Sequence, residues 1–292
     1  MICSTPTLAE LVTLYGVHHP CLDRDSLNLY GYARKSLEKF YGYELRACDF
    51  SDDLILPWLS SRLGERAAKT VRRERGDLLT LWRFSFKRGL CSQQPIDVPT
   101  VKVPRKNPNS WTIGEYTRLI ETCRSLAGEI RGTGIKKSVW WESLTTFLYW
   151  IGCRIGAALA VEVSDISLDR RLVRLKSEDA KTNLEQILLM HPQVVGAVKS
   201  MLSPDRKLVW PYPFGRRRIW EHYKAILQRA GLPADREHMF QKTRRTTYTM
   251  CVKYGSKEIA SKQLGHKTDM SSYYLDESQL LTPQAADVLP LL

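Results

Sequence analysis

No two cysteines of this chain stand as a C-x-x-C pair. The seven it has, Cys3, Cys21, Cys48, Cys91, Cys123, Cys153 and Cys251, are odd in number and widely scattered. That spacing suggests neither a zinc site nor a disulfide framework, and a reducing cytoplasm is the simplest compartment for it. His, Cys, Asp and Glu do not cluster at ligand spacing elsewhere, so no metal and no cofactor is expected. The N-terminus lacks a charged segment followed by a long apolar core. The most apolar stretch, residues 144–159, is interrupted by Arg154 and too short to span a bilayer. Neither secretion nor a membrane partner is indicated. There is also no internal repeat and no low-complexity tract.

What is present is apolar material and positive charge. Hydrophobic residues make up 43% of 292 and charged residues 26%, enough for packed cores and too apolar for a largely disordered chain. A chain of this length accommodates two compact units of roughly 100 and 190 residues. Lys and Arg outnumber Asp and Glu by 44 to 31, a net charge of +13, which favours a polyanionic partner such as nucleic acid. Ribosome-associated and membrane-surface proteins share such a surplus, so charge alone does not decide.

Residues 7–90 read as helices, with apolar residues at helical spacing in Leu8, Leu11, Val12 and Tyr15, in Tyr30, Ala33, Leu37 and Phe40, and in Leu78, Leu81, Trp82 and Phe86. A small helical bundle over residues 1–97 is expected. Within it, Lys69, Arg72, Arg73 and Arg75 precede an apolar face, which fits a helix laid on DNA phosphates and equally a solvated helix face. Prolines 95, 99, 104 and 108, mixed with Lys102, Arg105 and Lys106, forbid helix and oppose a dry core. Residues 98–110 are therefore expected to be a basic interdomain linker that follows a DNA backbone.

Residues 111–292 form the expected second domain. Thr112 is a plausible N-cap for an amphipathic helix carrying Tyr116, Leu119, Ile120 and Cys123, and an apolar helix follows over about 138–151. Residues 166–168, 172–175 and 186–190 read as three short strands of a small antiparallel sheet. Ile219, Trp220, Tyr223, Ile226, Leu227 and Ala230 mark another helix, and 246–254 and 257–263 two more, split at Gly255. The fold class is mainly α: a helical N-terminal bundle plus a mixed α/β domain with a three-stranded antiparallel sheet.

Arg154 stands out, because it sits inside the apolar run Tyr149-Trp150-Ile151-Gly152-Cys153-Arg154-Ile155-Gly156-Ala157-Ala158-Leu159-Ala160. A guanidinium there stays charged and needs either a carboxylate or a bound anion. Both readings are open on residue chemistry alone. The run resembles the "TGLRISE-A-L" box of the tyrosine recombinase, or phage integrase, family. Val163-Ser164-Asp165-Ile166 follows where that family has "W-x-D-I". Further on, Phe240-Gln241-Lys242-Thr243-Arg244-Arg245-Thr246-Thr247-Tyr248-Thr249 resembles "HDLRRTFAT", and Leu264-Gly265-His266 resembles "LGH". Asp179-Ala180-Lys181-Thr182-Asn183 is similar to the "SKTG" lysine turn, while residues 1–97 match the family's core-binding domain in size and style only.

The resemblance implies a site-specific recombinase that cuts and rejoins double-stranded DNA through a 3′-phosphotyrosine link. Arg154 and Arg244 would clamp the non-bridging oxygens of one phosphate, for which the planar, permanently charged guanidinium is suited. Lys181 would protonate the departing 5′ oxygen, and His266 would donate to the phosphate or assist proton transfer. Gln241 stands where the family box opens with histidine; it can hydrogen-bond but not titrate. His238 lies outside the box spacing, and the alternative register Lys242-x-x-Arg245 displaces Thr246, Thr249 and Gly255. Ala157 replaces a common glutamate. The nucleophile is read as Tyr274, from the family ending "Y-hydrophobic-D" matched by Tyr274-Leu275-Asp276, with Tyr273 as the alternative. A non-catalytic DNA-binding protein and a type IB topoisomerase are the competing readings. The resemblance also implies a tetramer on DNA, and the apolar tail 279–292 is expected to dock on a neighbour or to fold back.

Overall fold

Four helices build the first unit of the computed structural model, which describes residues 5–104, 106–177, 184–266 and 268–280. They are α1 (Leu8–His18), α2 (Arg24–Tyr41), α3 (Asp52–Glu65) and α4 (Ala68–Lys87). Side chains that accept from otherwise free backbone N–H groups set three of the starts: Thr7, in a reciprocal box with Glu10, then Asp23 and Ser51. Leu8, Leu11, Leu37, Ile55, Trp58, Leu78 and Trp82 meet in the core. One buried charge is compensated there: Arg62 of α3 forks onto the nearly inaccessible Glu74 carboxylate of α4 through bonds of 2.9 and 3.1 Å.

On α4, Lys69, Arg72 and Arg73 face solvent, whereas Arg75 does not join them. It lies one turn from Val71 and Leu78 on the inward side, and its guanidinium donates to the Val98 carbonyl. Of the four basic residues read as preceding the apolar face, three are exposed and Arg75 is partly buried. Residues 88–112 contain neither α-helix nor strand among those described. They are nonetheless anchored. Trp82 Nε1 donates to Gln93 O at 2.7 Å, Asp52 accepts from Ile96 N and Asp97 N, and Val101 is 6% exposed in the first core while Lys102 points out. The basic neighbour Lys102 does not prevent that burial, because its own side chain is exposed.

The division between units falls between Arg105 and Lys106. The second unit runs α5 (Ile113–Arg124), β1 (Glu129–Ile130), β2 (Ile135–Lys136), α6 (Lys137–Ile151), α7 (Ile155–Ala160), β3 (Ile166–Ser167), β4 (Leu172–Leu175), β5 (Gln186–Leu189), α8 (Pro192–Lys199), α9 (Arg216–Arg229), α10 (Phe240–Tyr254), α11 (Lys257–Leu264) and α12 (Ser271–Tyr274). The three-stranded sheet is antiparallel in the order β3-β4-β5, with Val173 opposite Leu188. Apolar on most sides, α6 is central and packs against α5, α8 and α10. The β1–β2 hairpin and α8 were not anticipated. α10 begins six residues before the 246 expected, since its first two turns present polar residues inward and show no apolar period.

Candidate active site

Two glycines build the walls of the site. Gly152 ends α6 with φ +69°, and a Cβ on it would lie 2.9 Å from Thr247 Cγ2 and 3.0 Å from Leu264 Cδ1. Only a residue without a side chain turns the chain this close to α10 and α11. The turn buries Cys153, whose thiol burial pushes up to about 12, and places Arg154 half-buried at the start of α7. Gly265, at φ +67°, ends α11 and turns His266 back toward α10.

Arg244 lies between these two helix ends and is 3% exposed. Its Nη1 donates to Gly152 O, and its Nη2 donates to Leu264 O at 2.9 Å and lies 3.1 Å from His266 Nε2. Both carbonyls belong to the C-terminal ends of helices, where the peptide dipoles favour a cation. Desolvation lowers the guanidinium pKa, yet these acceptors fix its geometry without neutralising it. His266 is held neutral near pH 7: burial first, then Arg244 and Arg154, push its pKa to about 4. A neutral ring that accepts from Arg244 at Nε2 carries its proton on Nδ1, which is buried with no partner among the described residues.

The two neighbouring tyrosines separate sharply. Tyr273 is 59% exposed and Tyr274 is 6% exposed, as expected of adjacent positions about 100° apart on a helix. The Tyr274 hydroxyl receives Gln241 Nε2 at 3.3 Å and Arg244 Nε at 3.5 Å, and its ring centroid lies 4.7 Å from that of His266. Burial by itself would raise the phenol pKa, but Arg244, Gln241 and Arg154 outweigh it and bring it below the ordinary 10.

The structure therefore brings together Gln241, Arg244, His266 and Tyr274, with Arg154 close enough to act electrostatically on the latter three. Among the described residues no carboxylate pairs with Arg154, so the salt-bridge reading of that residue finds no partner there. Lys242 takes no part: it is buried under Trp111, its Nζ 3.9 Å from the ring centroid, and Arg245 reaches Asn109, which disposes of the register Lys242-x-x-Arg245. His238 pairs with Asp235. Ala157 is buried in the core, where a glutamate would need its own partner. Lys181, Arg105 and residues 281–292 lie outside the described residues. Lys102 and Lys106 are exposed. No group of three metal-ligating side chains is found among the described residues, nor any helix long and apolar enough to cross a membrane. What sequence reasoning missed is Asp276 as more than a register marker.

The chain belongs to the phage integrase family, whose model matches residues 112–279, more than half of it. A putative tyrosine recombinase XerC of Pseudomonas syringae is 25% identical over 228 residues, 75% of this chain and 48% of that protein. The chain thus spans about half the length of that relative. Among solved structures, a lambda integrase tetramer bound to a Holliday junction aligns with TM-score 0.72 and 16% identity, covering 97% of this chain and 81% of that one. A lambda integrase(75-356) dimer bound to a COC' core site aligns with TM-score 0.71 at 16% identity, covering 91% and 97%. At such identity these two establish the fold.

Proposed function

We propose that this chain is a site-specific DNA recombinase or integrase that breaks and rejoins strands through a 3′-phosphotyrosine intermediate formed by Tyr274. The observation that carries the reading is the Tyr274 hydroxyl, turned inward onto Gln241 and Arg244 while Tyr273 stands in solvent. In the cutting step the phenolic oxygen forms a bond to phosphorus and the bond to the 5′ oxygen breaks, so no oxidant, reductant or water is consumed. Arg154 and Arg244 hold the non-bridging oxygens, and their fixed charge opposes the negative charge gathering in the transition state. Neutral His266, its ring beside that of Tyr274, would donate from Nδ1 to the phosphate or assist proton transfer from the phenol, and Lys181 would give a proton to the leaving 5′ oxygen. Rejoining is the reverse, with a 5′ hydroxyl as nucleophile.

The first unit, with Lys69, Arg72 and Arg73 exposed on α4, would serve as a core-binding domain over residues 1–97. The exposed Lys102 and Lys106 of the segment 98–110 would add phosphate contacts, and residues 111–292 would be the catalytic domain. Lambda integrase is described as a tetramer on a Holliday junction, and by that similarity this chain would self-associate on a double-stranded recombination site. Six described cysteines are free thiols, which suits the cytoplasm.

The test is incubation with a nicked duplex carrying the recombination site, in chelator, followed by a denaturing gel. Wild type and Tyr273→Phe should form a protein–DNA adduct and Tyr274→Phe should not. The opposite pattern would move the nucleophile by one residue; no adduct from wild type on a site it binds would leave a DNA-binding protein only.

A further inference from the structure

We infer that Asp276 is a positioning residue that ties the segment carrying the nucleophile to Ser110, where the chain enters the second unit. The inference rests on the reading of Tyr274 as nucleophile. Asp276 is 6% exposed and has no ion-pair partner among the described residues. Its carboxylate is satisfied by neutral donors. Oδ2 accepts from Ser110 N at 2.7 Å, Ser110 Oγ at 3.0 Å and Gln279 Nε2 at 3.5 Å, and Oδ1 accepts from Ser278 N and Oγ at 3.2 and 2.5 Å. A buried carboxylate is costly unless bonded in this way, so the arrangement is specific rather than incidental.

The same short segments are tied a second time. Asp276 N donates to Thr249 Oγ1 at 3.0 Å, and that hydroxyl donates to Tyr274 O at 3.3 Å, closing a loop around the two residues after the nucleophile. On the other side, Trp111 N donates to Thr246 Oγ1 at 2.8 Å, and Gln279 Nε2 reaches Ser110 O. Thr246 and Thr249 belong to α10, which also carries Gln241 and Arg244. Residues 110–111, α10 and residues 274–276 therefore form one hydrogen-bonded block. Within it, the seating of Ser110 fixes where Tyr274 stands relative to Arg244. The basic segment that ends at Ser110 is the part proposed to lie on DNA, so tension or order imposed there acts directly on the nucleophile's support.

Three variants test this on the full chain, with a nicked duplex carrying the site that wild type cleaves. Asp276→Asn keeps shape and one acceptor but weakens the tie; adduct formation at saturating DNA should slow by tenfold or more, up to roughly 100-fold, with DNA affinity unchanged, as expected when a reacting group is misplaced by about an ångström. Ser110→Ala, which keeps the backbone donor and removes one hydroxyl, should slow it by about threefold, and Ser110→Thr, which restores the hydroxyl, should recover the wild-type rate. The double variant Asp276→Asn with Ser110→Ala should be no slower than Asp276→Asn alone, because both remove one connection. Wild-type rates in the single variants, effects that multiply in the double variant, or a rate loss matched by lost affinity would each overturn the inference. Tyr274→Phe run alongside keeps the two claims apart: an adduct surviving in that variant refutes the nucleophile, whereas its loss with full activity in Asp276→Asn refutes only the positioning role.

Discussion

Two helices of this chain are rich in arginine and lysine, and they dispose of that charge in opposite ways. On α4, Lys69, Arg72 and Arg73 face water and the inward side is mostly apolar, with Val71, Leu78 and Trp82 in the core and the one buried carboxylate, Glu74, paired with Arg62. On α10, the inward side is itself polar: Lys242, Thr243, Arg244, Thr246, Thr247 and Thr249 are all buried. The first is an amphipathic helix whose outward cations are cheap to keep. The second keeps a guanidinium out of water, against desolvation, at a site where two helix ends and a tyrosine converge. Charge count does not distinguish them; burial with directed acceptors does, and it separates residues suited to chemistry from residues suited to holding DNA.

The largest effect that comparison predicts is on Arg244. Arg244→Lys retains charge but cannot reach Gly152 O, Leu264 O and the phosphate together, so adduct formation at saturating DNA should fall by about 10²–10³-fold. Arg72→Gln or Arg73→Gln should leave that rate unchanged. A slow-down on α4 equal to that on α10 would erase the distinction. Next, Gly152→Ala should destabilise the protein by about 1–3 kcal/mol, since a left-handed backbone and a Cβ 2.9 Å from Thr247 Cγ2 are both unfavourable. Chemical denaturation measures that loss, and an unchanged midpoint would mean that the turn relaxes freely.

A smaller effect follows from His266, whose pKa is about 4 in the fold against an ordinary 6.5. Between those values the unfolded chain binds a proton that the folded chain refuses, so stability falls as pH drops through that window and is level above it. Asp77 of the first unit, raised to about 6 chiefly by burial, titrates in the opposite sense. The useful quantity is therefore the difference in Tm between wild type and His266→Gln, which should shrink from pH 7 to pH 5. A difference independent of pH would mean that His266 is not held neutral. Smallest of all, Arg72→Gln and Arg73→Gln should each reduce the slope of log affinity against log salt by about one. Equal slopes for wild type and variants would take α4 off the DNA.

Much of this was legible beforehand, and what was not has a physical reason. The bundle, the three strands and helices α5 and α6 follow from apolar periodicity and from Thr112, whose capping box with Glu115 is formed as its residue type suggests. The choice of Tyr274 over Tyr273 came from a resemblance, and the two differ in exposure, Tyr274 being buried and Tyr273 exposed. The start of α10 was hidden because inward polar residues mimic a surface in any hydrophobic pattern. Arg75 was misplaced because spacing alone does not reveal that a backbone carbonyl 23 residues on waits for it. Asp276 and Ser110 are 166 residues apart, and nothing in either neighbourhood announces the other.

The buried tyrosine beside Arg244, and not its exposed neighbour, is the residue proposed to become bonded to DNA. Trapping the wild-type adduct on a nicked site, digesting both protein and DNA, and locating the residual nucleotide by tandem mass spectrometry tests this directly. The phosphate should be found on Tyr274. Its presence on Tyr273, or on any residue outside the pocket of Arg154, Gln241, Arg244 and His266, would rule out Tyr274 as the nucleophile.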